Sequence, residues 1–175
     1  MGAGSDFVMR RAGPEDAAAM VEIYRPFIEQ SCVSFEVEVP DPVEFASRIA
    51  KAQEAHEWLV AEDHRGLLGY AYGGKHRERA AYRFTAEVSA YVSDQAQGLG
   101  VGRSLYQALF RSLAELGYRN VVAGVTLPND KSVAFHLSMG FALVGIYHSV
   151  GFKFEQWRDV AWYERKLDDG PPLNL

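Results

Sequence analysis

Thr85-Ala-Glu-Val-Ser-Ala-Tyr-Val-Ser-Asp-Gln-Ala-Gln-Gly-Leu-Gly-Val-Gly-Arg-Ser-Leu-Tyr-Gln-Ala-Leu-Phe110 decides how the rest of this chain is read. It divides into a strand, a glycine-rich loop and a helix. From Phe84 to Val92 the residues are β-branched, aromatic or small, and a strand would alternate them between two faces. Phe84, Ala86, Val88, Ala90 and Val92 form the expected apolar face; Thr85, Glu87, Ser89 and Tyr91 form a more polar one. After Ser93-Asp94 come Gly98, Gly100 and Gly102. Leu105, Ala108, Leu109, Ser112, Leu113 and Leu116 then recur at helical spacing, and Gly117 is a suitable stop.

A loop of this kind has specific physics. Glycines reach positive φ and let the backbone approach a ligand. The first turn of the helix behind it carries N–H groups without intrahelical acceptors, at the positive end of the helix dipole. Two readings stand on the loop alone: a phosphate or pyrophosphate cradle, or a plain glycine turn before a helix. A P-loop is excluded, because position 97 is Gln rather than the first glycine of G-x-x-x-x-G-K-S/T and no Lys follows. A dinucleotide fingerprint fails too: position 103 is Arg rather than the third glycine, and the next strand, Asn120 to Thr126, carries no acid.

Length and composition bound the rest. The 175 residues suit one domain, 1–175, with a core of about 7–167 and a tail from 168. The net charge of −5, without a dense Lys/Arg cluster, argues against a nucleic-acid partner. One cysteine, Cys32, excludes an internal disulfide and reads as a small core residue. No 18-residue apolar run or signal-peptide pattern occurs, so no membrane partner and a cytoplasmic location are expected. The five His are scattered without ligand spacing, so no metal is expected.

Along the chain, Met1 to Asp6 reads as a disordered start and Phe7 to Arg11 as a short strand. A helix opens at Pro14, with Pro26 inside it predicting a kink or break. Ser31 to Pro40 alternates like a strand, and a second helix spans roughly Val43 to Ala55. Trp58 to Glu62 and Leu67 to Gly74 read as paired strands, followed by a polar loop, Lys75-His-Arg-Glu-Arg79. Past the glycine loop come a strand from Asn120, a helix from Asp130 to Met139 N-capped by Asn129, and two strands, Phe141 to Val150 and Trp157 to Lys166, flanking a loop at Gly151–Gln156. This order predicts an α+β fold: one mixed sheet with helices on both faces.

Three features could carry chemistry. Glu87 lies mid-strand; it is either a solvent-facing acid or, half buried, a base with a pKa raised toward neutrality. His136 shares a helix with Asn129 and is either a satisfied helical His or a proton donor to a leaving thiolate. Lys75, Arg77 and Arg79 form either a solvated charge run or a cradle for an anionic group.

The pattern Gln97-Gly98-Leu99-Gly100-Val101-Gly102 fits Q/R-x-x-G-x-G/A and resembles the acetyl-CoA loop of the GCN5-related N-acetyltransferases (GNAT). The resemblance runs from Arg10 to Lys166. It extends to the phosphinothricin and methionine sulfone/sulfoximine acetylating members through Arg79-Ala-Ala-Tyr82, Thr85-Ala-Glu87, Leu127-Pro-Asn129, His136, Gly151-Phe-Lys153 and Trp157-Arg-Asp-Val160. It implies a mostly antiparallel sheet of about seven strands, splayed where acetyl-CoA binds. It places the pyrophosphate on Gln97, Gly98, Leu99, Gly100, Val101, Gly102 and Arg103, the pantetheine along Ala90, Tyr91 and Val92, and Asn129 and Ser132 on the CoA arm. Glu87 would be the base, with His136 or a tyrosine such as Tyr91 as the acid; Phe35, Arg77, Arg79, Tyr82 and Glu87 would surround a small amine. A homodimer is implied. The reaction expected is transfer of acetyl from acetyl-CoA to the α-amine of an amino-acid-like acceptor. The competing readings are another small amine, a protein N-terminus, or a non-catalytic CoA-binding protein.

Overall fold

A computed structural model describes residues 7–168 and 170. The disordered start expected for Met1–Asp6, and the tail beyond residue 168 apart from Gly170, lie outside the described residues. The elements are β1 (Val8–Arg11), α1 (Ala17–Glu29), α2 (Pro42–Ala52), β2 (Trp58–Asp63), β3 (Gly66–Lys75), β4 (Thr85–Val92), α3 (Val101–Glu115), β5 (Asn120–Thr126), α4 (Asp130–Ser138), β6 (Ala142–Lys153) and β7 (Gln156–Lys166). The seven strands form one sheet in the order β1-β2-β3-β4-β5-β7-β6. Two compact units divide the chain: one holds the residues up to Ile23, Pro40–Gly74 and Val88–Leu116, the other Tyr24–Val39, Lys75–Glu87 and the chain from Gly117.

In the first unit, β1 pairs antiparallel with β2, and β2 with β3. Arg10 clamps this edge, its guanidinium donating to both oxygens of buried Asp16 (2.7 and 2.8 Å) and of Glu62 (2.9 Å each). Phe45 and Ile49 of α2 and Leu105, Leu109 and Leu113 of α3 supply the buried helical stripes. α3 lies so close to β3 that a Cβ on Gly73 would meet Leu113 at 3.0 Å. β3 and β4 also approach closely: a Cβ on Gly69 would sit 2.8 Å from the Tyr91 carbonyl oxygen, below any ordinary contact.

In the second unit, β5 pairs in parallel with Thr85–Glu87 of β4 and antiparallel with β7 along its whole length, Asn120↔Lys166 to Thr126↔Val160. The parallel ladder is three pairs long, ending at Glu87↔Val122. β7 pairs with β6, which forms the sheet edge.

Several expectations are corrected. Pro26 does not break α1, which continues to Glu29 with Gln30 N–H bonded to the Pro26 carbonyl. α2 ends at Ala52 rather than Ala55, its C-cap Gln53 N–H returning to Ile49. Ser31 to Pro40 forms no strand. Its anchors lie outside the segment: Lys153 Nζ donates to Ser34 O (2.7 Å), Tyr24 and Ser34 share a 2.6 Å hydroxyl bond, and the Phe35 ring covers Gly151. Cys32 in this segment is half-buried rather than core. The loop expected at 151–156 is a two-residue turn, Phe154-Glu155, both at positive φ (51° and 58°), with Lys153 facing Gln156. That is the twist a tight hairpin needs, here without the Asn-Gly that usually announces it. Along β4 the buried residues are Ala86, Val88 and Tyr91, with Ser89 and Ala90 both half-buried between them. The expected strict alternation therefore fails: Tyr91 is buried against Tyr70 (5.4 Å between centroids), whereas Ala90 and Val92 of the expected apolar face are half-exposed.

Candidate active site

The glycine loop belongs to the first unit. A 3-10 turn, Asp94–Ala96, follows β4, and the Gln97 amide braces it by donating to Asp94 (2.8 Å). Gly98 and Gly100 stand at φ +79° and +80°, and a Cβ at either would meet nothing within 4 Å among the described residues. The left-handed backbone, not crowding, is what calls for glycine at these two positions. Gly102 differs: α3 starts at Val101, so the third glycine sits in its first turn. The Leu99 N–H is used on the Ala96 carbonyl, and the first helical bond runs from Ser104 to Gly100. The N–H groups of Val101 and Gly102 therefore stand at the helix start without intrahelical acceptors. Val101 is buried, Leu99 half exposed and Arg103 exposed. Backbone N–H groups and the positive end of a helix dipole suit a diphosphate.

Glu87 belongs to the second unit, at the end of the parallel ladder. Its side chain is 42% exposed, and Oε2 lies 3.8 Å from His76 Nδ1. Burial holds its carboxyl above the ordinary value, opposed by the nearby His76 imidazole and more weakly by Arg77. A carboxylate in this state is a stronger base than an exposed one and still reachable. His76 was hidden in the sequence: it reads as one polar residue in a charged run, with no spacing that links it to position 87.

Asn129 caps α4, its Oδ1 accepting the Ser132 N–H at 3.1 Å. His136 is buried one turn further, with Nδ1 2.8 Å from the Ser132 carbonyl and 3.3 Å from the Ser132 hydroxyl. A carbonyl can only accept, so Nδ1 carries the hydrogen and, in the neutral ring, Nε2 the lone pair. The ring stacks on Tyr163 (6.0 Å, 22°) and meets Phe141 edge-on. Burial lowers its pKa, with the Ser132 carbonyl pulling the other way.

The residues expected around an acceptor are less uniform. Lys75 is ion-paired at the surface with Glu78 at 2.5 Å. Arg77 and Arg79 are exposed, and the Arg79 carbonyl starts the 3-10 turn that carries Tyr82, which is 44% exposed. Phe35 packs over Gly151. Lys153, quoted from sequence only as part of the resemblance and given no site role, is buried beneath this segment, with its pKa lowered by that burial. No group of three or more His, Cys, Asp or Glu able to hold a metal occurs among the described residues, and among them no helix is long and apolar enough to cross a membrane.

The family model for the Acetyltransferase (GNAT) domain matches residues 9–162. The chain is 37% identical to the phosphinothricin N-acetyltransferase of Streptomyces viridochromogenes, over 94% of this chain and 90% of that protein. It is 33% identical to the L-methionine sulfoximine/L-methionine sulfone acetyltransferase of Pseudomonas aeruginosa, over 91% of this chain and 94% of that one. Among solved structures, a GNAT superfamily phosphinothricin acetyltransferase from Sinorhizobium meliloti in complex with AcCoA superposes with a TM-score of 0.90 at 34% identity, covering 96% of this chain and 94% of the other. The seven-stranded mixed sheet and the glycine loop before α3 thus agree with sequence relationships over nearly the full length of both chains. This chain belongs to the GNAT acetyltransferase family and is an acetyl-CoA-dependent N-acetyltransferase.

Proposed function

We propose that the protein acetylates the α-amine of a small amino-acid-like acceptor of the phosphinothricin, methionine sulfone or methionine sulfoximine type, with Glu87 as general base. The observation that carries this reading is the state of Glu87: half-exposed in β4, with its carboxyl held above the ordinary value by burial and with Arg77 beside it. The names of the two relatives compared above support the acceptor class. A family match running from residue 9 to 162 supports a single acetyltransferase domain built from both units.

Bound acetyl-CoA supplies an activated acetyl group, so the protein's own tasks are to bind, orient and move protons. The N–H groups from Gly98 to Gly102, other than the one Leu99 has used, would hold the pyrophosphate, framed by Gln97, Leu99 and Val101. Ala90, Tyr91 and Val92 would line the pantetheine, and Asn129 and Ser132 would touch the CoA arm while sharing the α4 cap. Glu87 would take a proton from the acceptor ammonium, directly or through water, leaving a nucleophilic amine. The departing thiolate would be protonated by Tyr91 or His136; the buried, mainly neutral His136 is the poorer acid of the conventional imidazolium kind. Arg77 and Arg79 would meet the acceptor's carboxylate or tetrahedral oxygen-bearing end, with Phe35 and Tyr82 as apolar walls.

The exposed apolar residues Leu143, Val144, Tyr147, Val150 and Phe152 on edge strand β6, and Trp157 on β7, support a homodimer joined through this hairpin. Supply of acetyl-CoA from metabolism supports a cytoplasmic location.

The test is thiol release from acetyl-CoA across an amine panel that includes phosphinothricin, methionine sulfone, methionine sulfoximine and spermidine. The reading expects turnover with the amino acids and a loss in kcat/KM for methionine sulfone in Arg79→Ala. Preference for spermidine, or an unchanged Arg79→Ala enzyme, refutes it. For the dimer, Val144→Lys should yield a monomer in sedimentation; a wild-type monomer overturns that part.

A further inference from the structure

His76 has a buried ring nitrogen with no place in the reaction as derived so far. Its side chain is 16% exposed. Nδ1 is fully buried and has no hydrogen-bond partner among the described residues. Buried polar atoms in folded proteins are nearly always bonded, so an orphan of this kind calls for an explanation. The polar atom facing it is Oε2 of Glu87, 3.8 Å away.

The two side chains differ in freedom. The His76 ring is flanked edge-on by Tyr82 (centroids 5.9 Å, 80° between planes) and by Trp162 (6.2 Å, 65°). Glu87 is half-exposed and can turn. Closing 3.8 Å to an ordinary N–H···O distance needs a movement of about 0.8 Å. A small torsional adjustment of the carboxylate supplies it.

We propose that His76 is the positioning residue for Glu87, its Nδ1–H closing on Oε2 and holding the carboxylate in one orientation toward the acceptor's ammonium. The inference rests on the reading of Glu87 as general base. The chemistry assigns the hydrogen: a lone pair on Nδ1 facing a carboxylate would be repelled, so Nδ1 is the nitrogen that donates. A donor on Oε2 favours the ionised carboxylate, which counters the burial that pushes the Glu87 carboxyl up. The charged and titratable groups around the pair are Arg77 from the segment after β3, which acts in the same direction, and the Tyr82 phenol from the 3-10 turn; Trp162 from β7 brings none.

The test uses His76→Phe, which keeps a ring without the donor, and His76→Asn, whose amide can place an N–H near the Nδ1 position. Two readouts are needed: the pH profile of kcat/KM, and the titration of the Glu87 carboxyl followed by 13C NMR. With the donor gone, the Glu87 pKa rises, so in His76→Phe the acid limb and the NMR midpoint both move to higher pH. We expect a shift of at least about half a pH unit and a kcat loss of roughly tenfold, with KM for acetyl-CoA unchanged. His76→Asn should keep the wild-type limb and recover most of the rate. An unmoved carboxyl midpoint in His76→Phe overturns the proposal, and so does a His76→Asn enzyme as slow as His76→Phe. Failure of the underlying reading looks different: Glu87→Gln would turn over like wild type while the carboxyl titration still responds to His76, and the positioning role would fall through Glu87 rather than through the pairing.

Discussion

Substituting Gly100 separates backbone strain from ligand binding, because a Cβ there would meet nothing within 4 Å among the described residues. Its φ is +80°, so Gly100→Ala and Gly100→Glu both force an L-residue into the left-handed region. That costs roughly 1–2 kcal/mol in either case. At about 2–4 °C per kcal/mol for a protein of this size, both should unfold about 2–8 °C below wild type without ligand, and at nearly the same temperature. Acetyl-CoA then distinguishes them. At a concentration of about 100 Kd a ligand adds ~2.7 kcal/mol, a rise of about 5–11 °C. A glutamate carboxylate about 5 Å from one phosphate charge opposes it by ~0.8 kcal/mol in bulk water and ~3 kcal/mol at an effective dielectric of about 20. Per phosphate charge that is a loss of roughly four- to 150-fold in affinity. At a 100-fold loss the same ligand concentration adds only ~0.4 kcal/mol, about 1 °C. Gly100→Ala should therefore keep most of the thermal shift and Gly100→Glu should lose it, as read by scanning fluorimetry with calorimetric titration alongside. A folded Gly100→Glu protein with wild-type acetyl-CoA affinity would refute the loop as the pyrophosphate site. A ligand-free Gly100→Glu protein far less stable than Gly100→Ala would refute the account of strain without crowding.

Glu87→Gln should lower kcat while leaving acetyl-CoA affinity intact, and it should raise the melting temperature at pH 8 but not at pH 4. The sign follows from the raised carboxyl: the native state keeps its proton longer than the unfolded chain, so wild-type stability falls as pH rises above the ordinary Glu value of about 4.3, a penalty that glutamine lacks. His136 has the opposite sense: its pKa is lowered, so the unfolded chain binds a proton first and wild-type stability declines as pH falls below about 6.5. His136→Phe should therefore show a smaller melting-temperature difference between pH 7 and pH 5, and an equal or larger difference counts against a buried neutral ring. Gly151→Ala should be destabilising, because its Cβ would fall 2.2 Å from the Phe35 ring; adding Phe35→Ala should restore much of the loss, and strictly additive effects of the two changes would contradict that contact.

Local chemistry in the sequence determined the backbone around the cofactor loop. Three glycines between a β-branched run and a helical stripe announce a strand, a turn and a helix N-terminus, and two of them stand at positive φ. The paired strands Trp58–Asp63 and Gly66–Lys75 and the helix capped by Asn129 were legible for the same reason: periodicity and caps act between residues one to four positions apart. Features decided by partners distant in sequence left no such trace. Residues 31–40 alternate like a strand yet are held as an irregular segment by Lys153, whose ammonium bonds Ser34 across 119 positions. The Phe154–Glu155 turn lacks any residue that favours positive φ, and is held by the ladder on either side of it. Strict alternation along β4 gave way because the Tyr91 ring is buried against Tyr70 of a neighbouring strand. The pairing of His76 with Glu87 arises because the chain turns through the Ala80–Tyr82 segment and returns as β4, bringing positions 76 and 87 together. Local propensity specifies which conformations each short stretch prefers; only the packed chain decides which distant side chain removes a given group from water, and that is what sets the charge state of Glu87 and His136.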